Sequence, residues 1–140
     1  MAADRNQQVG ADLYRRWASM WNGNLAIAND IIADGFVAHL TGDAPPPPED
    51  IRDPASVARW VASIRKRGRD LSYTVELGPI VDADLVVAYW HLVGMRQGPD
   101  GGSEQQFEKV GIDILRFRGD RLIECWTMNN NAQPHPGPRE

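Results

Sequence analysis

Asp113 stands between two isoleucines in the run Gly111-Ile112-Asp113-Ile114-Leu115-Arg116-Phe117. A carboxylate among aliphatic side chains loses its hydration. The position therefore points either to acid/base work or to an ion pair with an arginine on a neighbouring strand. His39 and His91 add two groups that titrate near neutral pH and could relay protons; each also reads as a surface or structurally hydrogen-bonded histidine. Arg96, in Gly94-Met95-Arg96-Gln97-Gly98, suits a substrate carboxylate or a developing oxyanion, and equally a solvated charge at a strand end. His135 lies in a terminal proline-rich stretch. The three histidines are scattered and Cys125 is alone, so neither a zinc site nor an internal disulfide is expected. The chain also lacks a Walker or dinucleotide glycine loop and a Gly-x-Ser-x-Gly elbow, which removes those enzyme classes.

The elements that must position these groups follow from periodicity. Leu13, Trp17, Met20 and Trp21 recur at helical spacing over 9–22, and Asn22-Gly23-Asn24 ends this first helix. Tyr14, Trp17 and Trp21 form one aromatic flank of it, either a pocket wall or plain core. A short helix over 25–32 stops at Asp34-Gly35 and leads to a first strand over 36–40. Residues 41–54 include four consecutive prolines at 45–48, which favour a stiff extended arm without regular structure. A third helix over 54–66 starts at the Asp53 cap, turns Val57, Trp60, Val61 and Ile64 inward, and ends on Arg65-Lys66-Arg67. Four β-rich segments follow, over 71–81, 85–96, 105–118 and 121–129. Short turns at Asp82-Ala83-Asp84 and Arg118-Gly119-Asp120 make an antiparallel meander, and residues 133–140 read as a disordered tail.

The 140 residues fit one domain, taken as 1–132, and 42% hydrophobic with 24% charged residues is a globular composition. A net charge of −4 works against nucleic-acid binding, which needs a clustered basic face. Neither a long apolar span nor a signal-peptide core is evident, so no membrane partner and a cytoplasmic location are expected. Helices followed by a meander give an α+β class, with helices covering one face of a curved sheet to form a cone. Both faces of the third strand, Val86, Ala88, Trp90 and Leu92 against Val87, Tyr89, Val93 and Met95, are apolar; the convex face is therefore expected to be a homodimer interface.

The run from Gly111 to Phe117, followed by Gly119-Asp120-Arg121-Leu122-Ile123-Glu124-Cys125-Trp126, resembles the SnoaL-like polyketide cyclase branch of the nuclear transport factor two superfamily. Trp17 to Asn24 and Phe36-Val37-Ala38-His39 resemble that family's opening helices and first strand, so the likeness covers about residues 9 to 130. It implies a cystatin-like α+β cone around a hydrophobic pocket. It also implies a cofactor-independent acid/base enzyme on a polyketide-like molecule, foremost an intramolecular aldol-type cyclase of antibiotic biosynthesis. The wider superfamily also includes ketosteroid isomerases, dehydratases, epoxide hydrolases, cofactor-free hydroxylases and non-catalytic binding or dimerisation proteins, so the resemblance implies these as alternatives.

By this resemblance Asp113 lines the pocket as the acid/base, together with Gly111, Leu115 and Phe117, and His39 sits at the mouth as a second acid. Simple alternation along the fifth strand then turns Trp126, Met128 and Asn130 toward the cavity and Cys125 away. Asn130 stands near where relatives carry an acid, and Arg96 where they carry a histidine. Trp17 falls nearest the phenol of the ketosteroid isomerases, with Tyr14 one turn away; the missing phenol argues against a steroid isomerase mechanism. Trp17, Tyr14, Trp60, His91, Arg96, Trp126, Met128 and Asn130 are accordingly the expected substrate contacts.

Overall fold

The computed structural model describes residues 2–41, 45–98 and 101–131, with side chains from residue 4 onward. Helix α1, Ala2–Trp21, begins a full two turns before the apolar pattern does, because its polar leader, with Asp4 in the first turn, is made of good helix formers. It stops at Gly23, whose φ of 114° is one a glycine adopts without strain. A 3₁₀ turn, Leu25–Ile27, and a single helical turn α2, Ala28–Ile31, lead directly into strand β1, Ile32–Leu40.

Strand β1 therefore starts four residues earlier than expected. Asp34-Gly35 is a bulge inside the strand rather than a stop: Gly35 has φ 85°, the pairing register breaks between Ile32 and Val37, and the Gly35 N–H bonds the Arg52 carbonyl. The described part of the proline-rich arm includes a 3₁₀ turn, Pro48–Asp50. Helix α3, Pro54–Arg65, is capped as its sequence demands. The Asp53 carboxylate accepts from the Ser56 N–H and the Ser56 hydroxyl oxygen accepts from the Asp53 N–H. At its other end Arg65 donates to the Trp21 carbonyl, tying α3 to the end of α1.

Strands β2 (Arg69–Asp82), β3 (Leu85–Gln97), β4 (Glu104–Arg118) and β5 (Arg121–Asn131) form the meander, and β1 adds in parallel beside β5, giving the order β1-β5-β4-β3-β2. The sheet curves without closing. Its concave face, with Tyr73, Val86, Ala88, Trp90, Leu92, Leu115 and Phe117, meets Leu13, Tyr14, Trp17 and Met20 of α1 and Val57, Trp60 and Val61 of α3 in one buried core. The expected tail, 133–140, and His135 within it lie outside the described residues.

One detail of the sheet decides which groups reach the site. The Gly119-Asp120 turn pairs Arg118 with Arg121 and Phe117 with Leu122; unbroken pairing would then set Asp113 opposite Trp126. A one-residue bulge at Ile123 shifts the register, so Asp113 faces Thr127 instead. Leu122, Cys125 and Thr127 are thereby turned inward and buried, whereas Met128 is 66% exposed. This overturns the expected parity of β5: Trp126, Met128 and Asn130 belong to the outer face, and Cys125 packs in the core.

Candidate functional site

The cone encloses a cavity of about 170 Å³. Its wall is aromatic and aliphatic, with Trp21, Trp60, Tyr73, Trp90, Phe107, Ile64, Leu71 and Leu92. Asp113, Thr127 and Asn129 bring polar groups to it, Pro45 and Pro46 of the proline arm form part of the lip, and Arg67, Arg96 and Lys109 add charge.

Asp113 is only 2% exposed. Among the described residues no arginine pairs with it, and three neutral donors do. Trp17 Nε1 donates to Oδ2 at 2.9 Å, Tyr73 Oη donates to Oδ2 at 3.1 Å, and Thr127 Oγ1 donates to Oδ1 at 3.0 Å. Tyr73 Oη lies 2.7 Å from Tyr14 Oη, and since Tyr73 donates to the acid, Tyr14 donates to Tyr73. The result is a chain Tyr14→Tyr73→Asp113 running from the helix α1 core to the cavity wall. A phenol thus reaches this acid after all, supplied by β2.

Burial pushes the Asp113 carboxyl above its ordinary range, because the ionised form gives up water; the Trp17, Trp90, Thr127 and Tyr73 donors act in the opposite direction. The Trp90 indole N–H faces the carboxyl but misses hydrogen-bond geometry, so Trp90 Nε1, like Trp21 Nε1, is buried without an acceptor. Burial, then the nearby Asp113 charge, raise both Tyr14 and Tyr73, which keeps the phenols protonated as donors. Gly111 makes this arrangement possible. It pairs with Trp90, and a Cβ there would lie 2.3 Å from the indole Cζ2.

Of the expected contacts, the structure brings Asp113, Trp60 and Arg96 to the cavity wall and seats Trp17 and Tyr14 directly behind it. It takes the others elsewhere. His39 follows Phe36 and Ala38, which are buried, so alternation turns it outward; there its Nε2 meets Glu124 at 2.7 Å and its ring stacks on Trp126. Arg116 bonds the same Glu124 as well as Asp84, and its guanidinium lies 5.5 Å from the Trp126 ring centroid. His91 sits between Glu76 and Glu108 on the outer face. Replacing His39 with Ala is therefore expected to leave ligand binding and turnover within about twofold of wild type, a surface ion pair contributing little. A loss of tenfold or more, measured by steady-state kinetics, would return His39 to the site.

Tyr73, Trp90, Thr127 and Asn129 were not expected at the site. The alternation of Leu71, Tyr73 and Val75 with Ser72, Thr74 and Glu76 carries the signal for Tyr73. Thr127 and Asn129 depend on the Ile123 bulge. Among the described residues no three His, Cys, Asp or Glu side chains converge as metal ligands, and no helix is long and apolar enough to cross a membrane.

The backbone is similar to that of IdmH from Streptomyces antibioticus, a candidate polyketide cyclase. The two share 24% identity over 86% of this chain and 91% of that one, with a TM-score of 0.71. A candidate polyketide cyclase from Acidithiobacillus ferrooxidans is 21% identical over 85% and 86% of the two chains, with a TM-score of 0.69. AclR from Streptomyces galilaeus, a candidate hydroxylase, is 17% identical over 86% and 76%, with a TM-score of 0.64. No curated protein matches the sequence. The SnoaL-like domain pattern matches residues 12–125, from the first helix to the buried Cys125, and with that span the chain belongs to the SnoaL-like family, on its nuclear transport factor two-like fold.

Proposed function

We propose that this chain is a cofactor-independent acid/base enzyme acting on a hydrophobic polyketide-like molecule, foremost as an intramolecular aldol-type cyclase. The observation that carries the reading is Asp113, a buried carboxyl in the wall of an aromatic cavity, oriented at both oxygens and pushed up by burial. A raised carboxyl is a stronger base than a solvated one and holds its proton longer once taken. Asp113 removes a proton from a carbon flanked by carbonyls. The enolate carbon attacks a second carbonyl of the same molecule, and Asp113 returns the proton to the new alkoxide, so the proton count closes without a second acid.

The family and the candidate cyclases among its structural relatives support this substrate class. A non-catalytic binding protein remains the competing reading, because three donors around Asp113 also suit a purely structural acid. Thermal unfolding against anthraquinone-type polyketides, steroid enones and small terpenoids, followed by turnover of any class that stabilises the protein, separates them. Stabilisation by the polyketides with turnover supports the enzyme; stabilisation without turnover of any member supports the binding protein.

The outer face of the sheet is proposed to pair two copies. Leu77, Tyr89, Ile112 and Met128 are successive cross-strand partners forming one exposed apolar row across β2, β3, β4 and β5. Light scattering after size exclusion is expected to give a dimer, converted to monomer by Ile112→Glu. A monomeric wild type at micromolar concentration contradicts the pairing.

A further inference from the structure

We propose that the mouth of the cavity is an anion subsite, so that the ligand is an apolar, ring-bearing carboxylic acid held by Arg67, Arg96 and Lys109 with its body directed toward Asp113. The inference rests on the cavity being the ligand site proposed above, not on the reaction assigned to it.

The charges of the wall are segregated. Its single described acid is Asp113, already bonded by three donors, while all three cations come from separate elements: the turn after α3, the end of β3 and the middle of β4. None of the three makes an ion pair with a described residue. On the outer surface Arg69 takes Glu104, Arg116 takes Asp84 and Glu124, and Arg16 takes Asp12 and Asp30, while Arg5, Arg59 and Arg118 make no ion pair with a described residue; what sets the wall apart is that three cations gather there around one acid.

Arg96 is also held in place. Its guanidinium carbon lies 5.0 Å from the Phe107 ring centroid, and Phe107 occupies the space left by Gly94, where a Cβ would come within 3.0 Å of the ring. A guanidinium stacked this way keeps its N–H edge free for an oxyanion, which it grips with two parallel hydrogen bonds. Orientation follows from repulsion: a ligand carboxylate near Asp113 would oppose its charge, whereas at the mouth the charged groups among the described lining residues are the cations Arg67, Arg96 and Lys109.

Calorimetric titration with 2-naphthoate and its neutral amide, 2-naphthamide, tests the subsite without requiring turnover. Wild type is expected to bind the acid about tenfold or more tightly than the amide, with added salt weakening only the acid. In the Arg96→Gln, Lys109→Gln double variant the acid should fall to the affinity of the amide, which itself stays unchanged; thermal unfolding verifies that this variant folds. Equal affinities in wild type, a preference for the acid that survives in the double variant, or no binding of either probe overturns the proposal. A wild type without acid preference whose turnover still depends on Asp113 marks failure of the subsite alone, and a wild type with the preference but no Asp113-dependent turnover marks failure of the reaction alone.

Discussion

Replacing Asp113 with Asn is expected to lower turnover by roughly 10²- to 10⁴-fold, the usual contribution of a positioned proton-transfer group, while the fold survives. The amide is isosteric, and the site can satisfy it. Its oxygen takes the place of Oδ2 and accepts from Trp17 and Tyr73, while its NH₂ takes the place of Oδ1, where the Thr127 hydroxyl turns to accept instead of donate. Turnover of the substrate class that stabilises wild type is the readout, and an Asn variant of unchanged rate removes Asp113 from the chemistry.

The same substitution has a pH signature. A carboxyl raised in the folded state favours folding in acid, below the ordinary aspartate value of about 3.9, and loses that contribution as pH climbs through the folded value. Asn carries no charge to desolvate. The melting temperature of the variant relative to wild type should therefore rise with pH across that window and then level off. A difference that is flat with pH, or that falls, contradicts a raised carboxyl.

Gly111→Ala is expected to cost about 1–3 kcal/mol of stability and to abolish ligand binding together. The new methyl would sit 2.3 Å from Trp90 Cζ2 and 2.6 Å from the Met128 carbonyl oxygen. The carbonyl belongs to the backbone of β5, which the ladder fixes, so the indole must give way. Trp90 forms cavity wall, and its displacement closes the space a ligand would use while removing a donor that faces Asp113. Denaturant titration and calorimetry measure the two effects. An alanine variant with wild-type stability and binding would show that the Trp90 ring is not confined.

These residues also show how far the sequence reaches. Asp113 is conspicuous because a charge between isoleucines demands an explanation, and Asp53-Pro54 with Ser56 announces a helix start by local chemistry alone. The inward set Gly111, Asp113, Leu115 and Phe117 follows from strand alternation, and it is buried as expected. What alternation misses is a change of register. Ile123 has the same β-forming character as its neighbours, so nothing local marks it as the extra residue, yet it exchanges Trp126 for Thr127 at the acid. Gly35 misleads in the opposite sense, since a glycine after aspartate ends helices and also makes bulges; only pairing with β5 decides which. Tyr73 and His39 were readable in principle from Leu71/Tyr73/Val75 and Phe36/Ala38. Their meaning appears only once β2 brings Tyr73 under Tyr14 and β1 turns His39 onto Glu124.

The proposed chemistry requires Asp113 to be a raised carboxyl, buried from solvent and bordering the cavity. Titration of its carboxyl carbon by ¹³C NMR, assigned by loss of the signal in Asp113→Asn, tests this directly. A midpoint above the ordinary aspartate range that moves when a cavity ligand binds is expected; a midpoint within that range, unmoved by ligand, removes Asp113 from the role of buried acid/base.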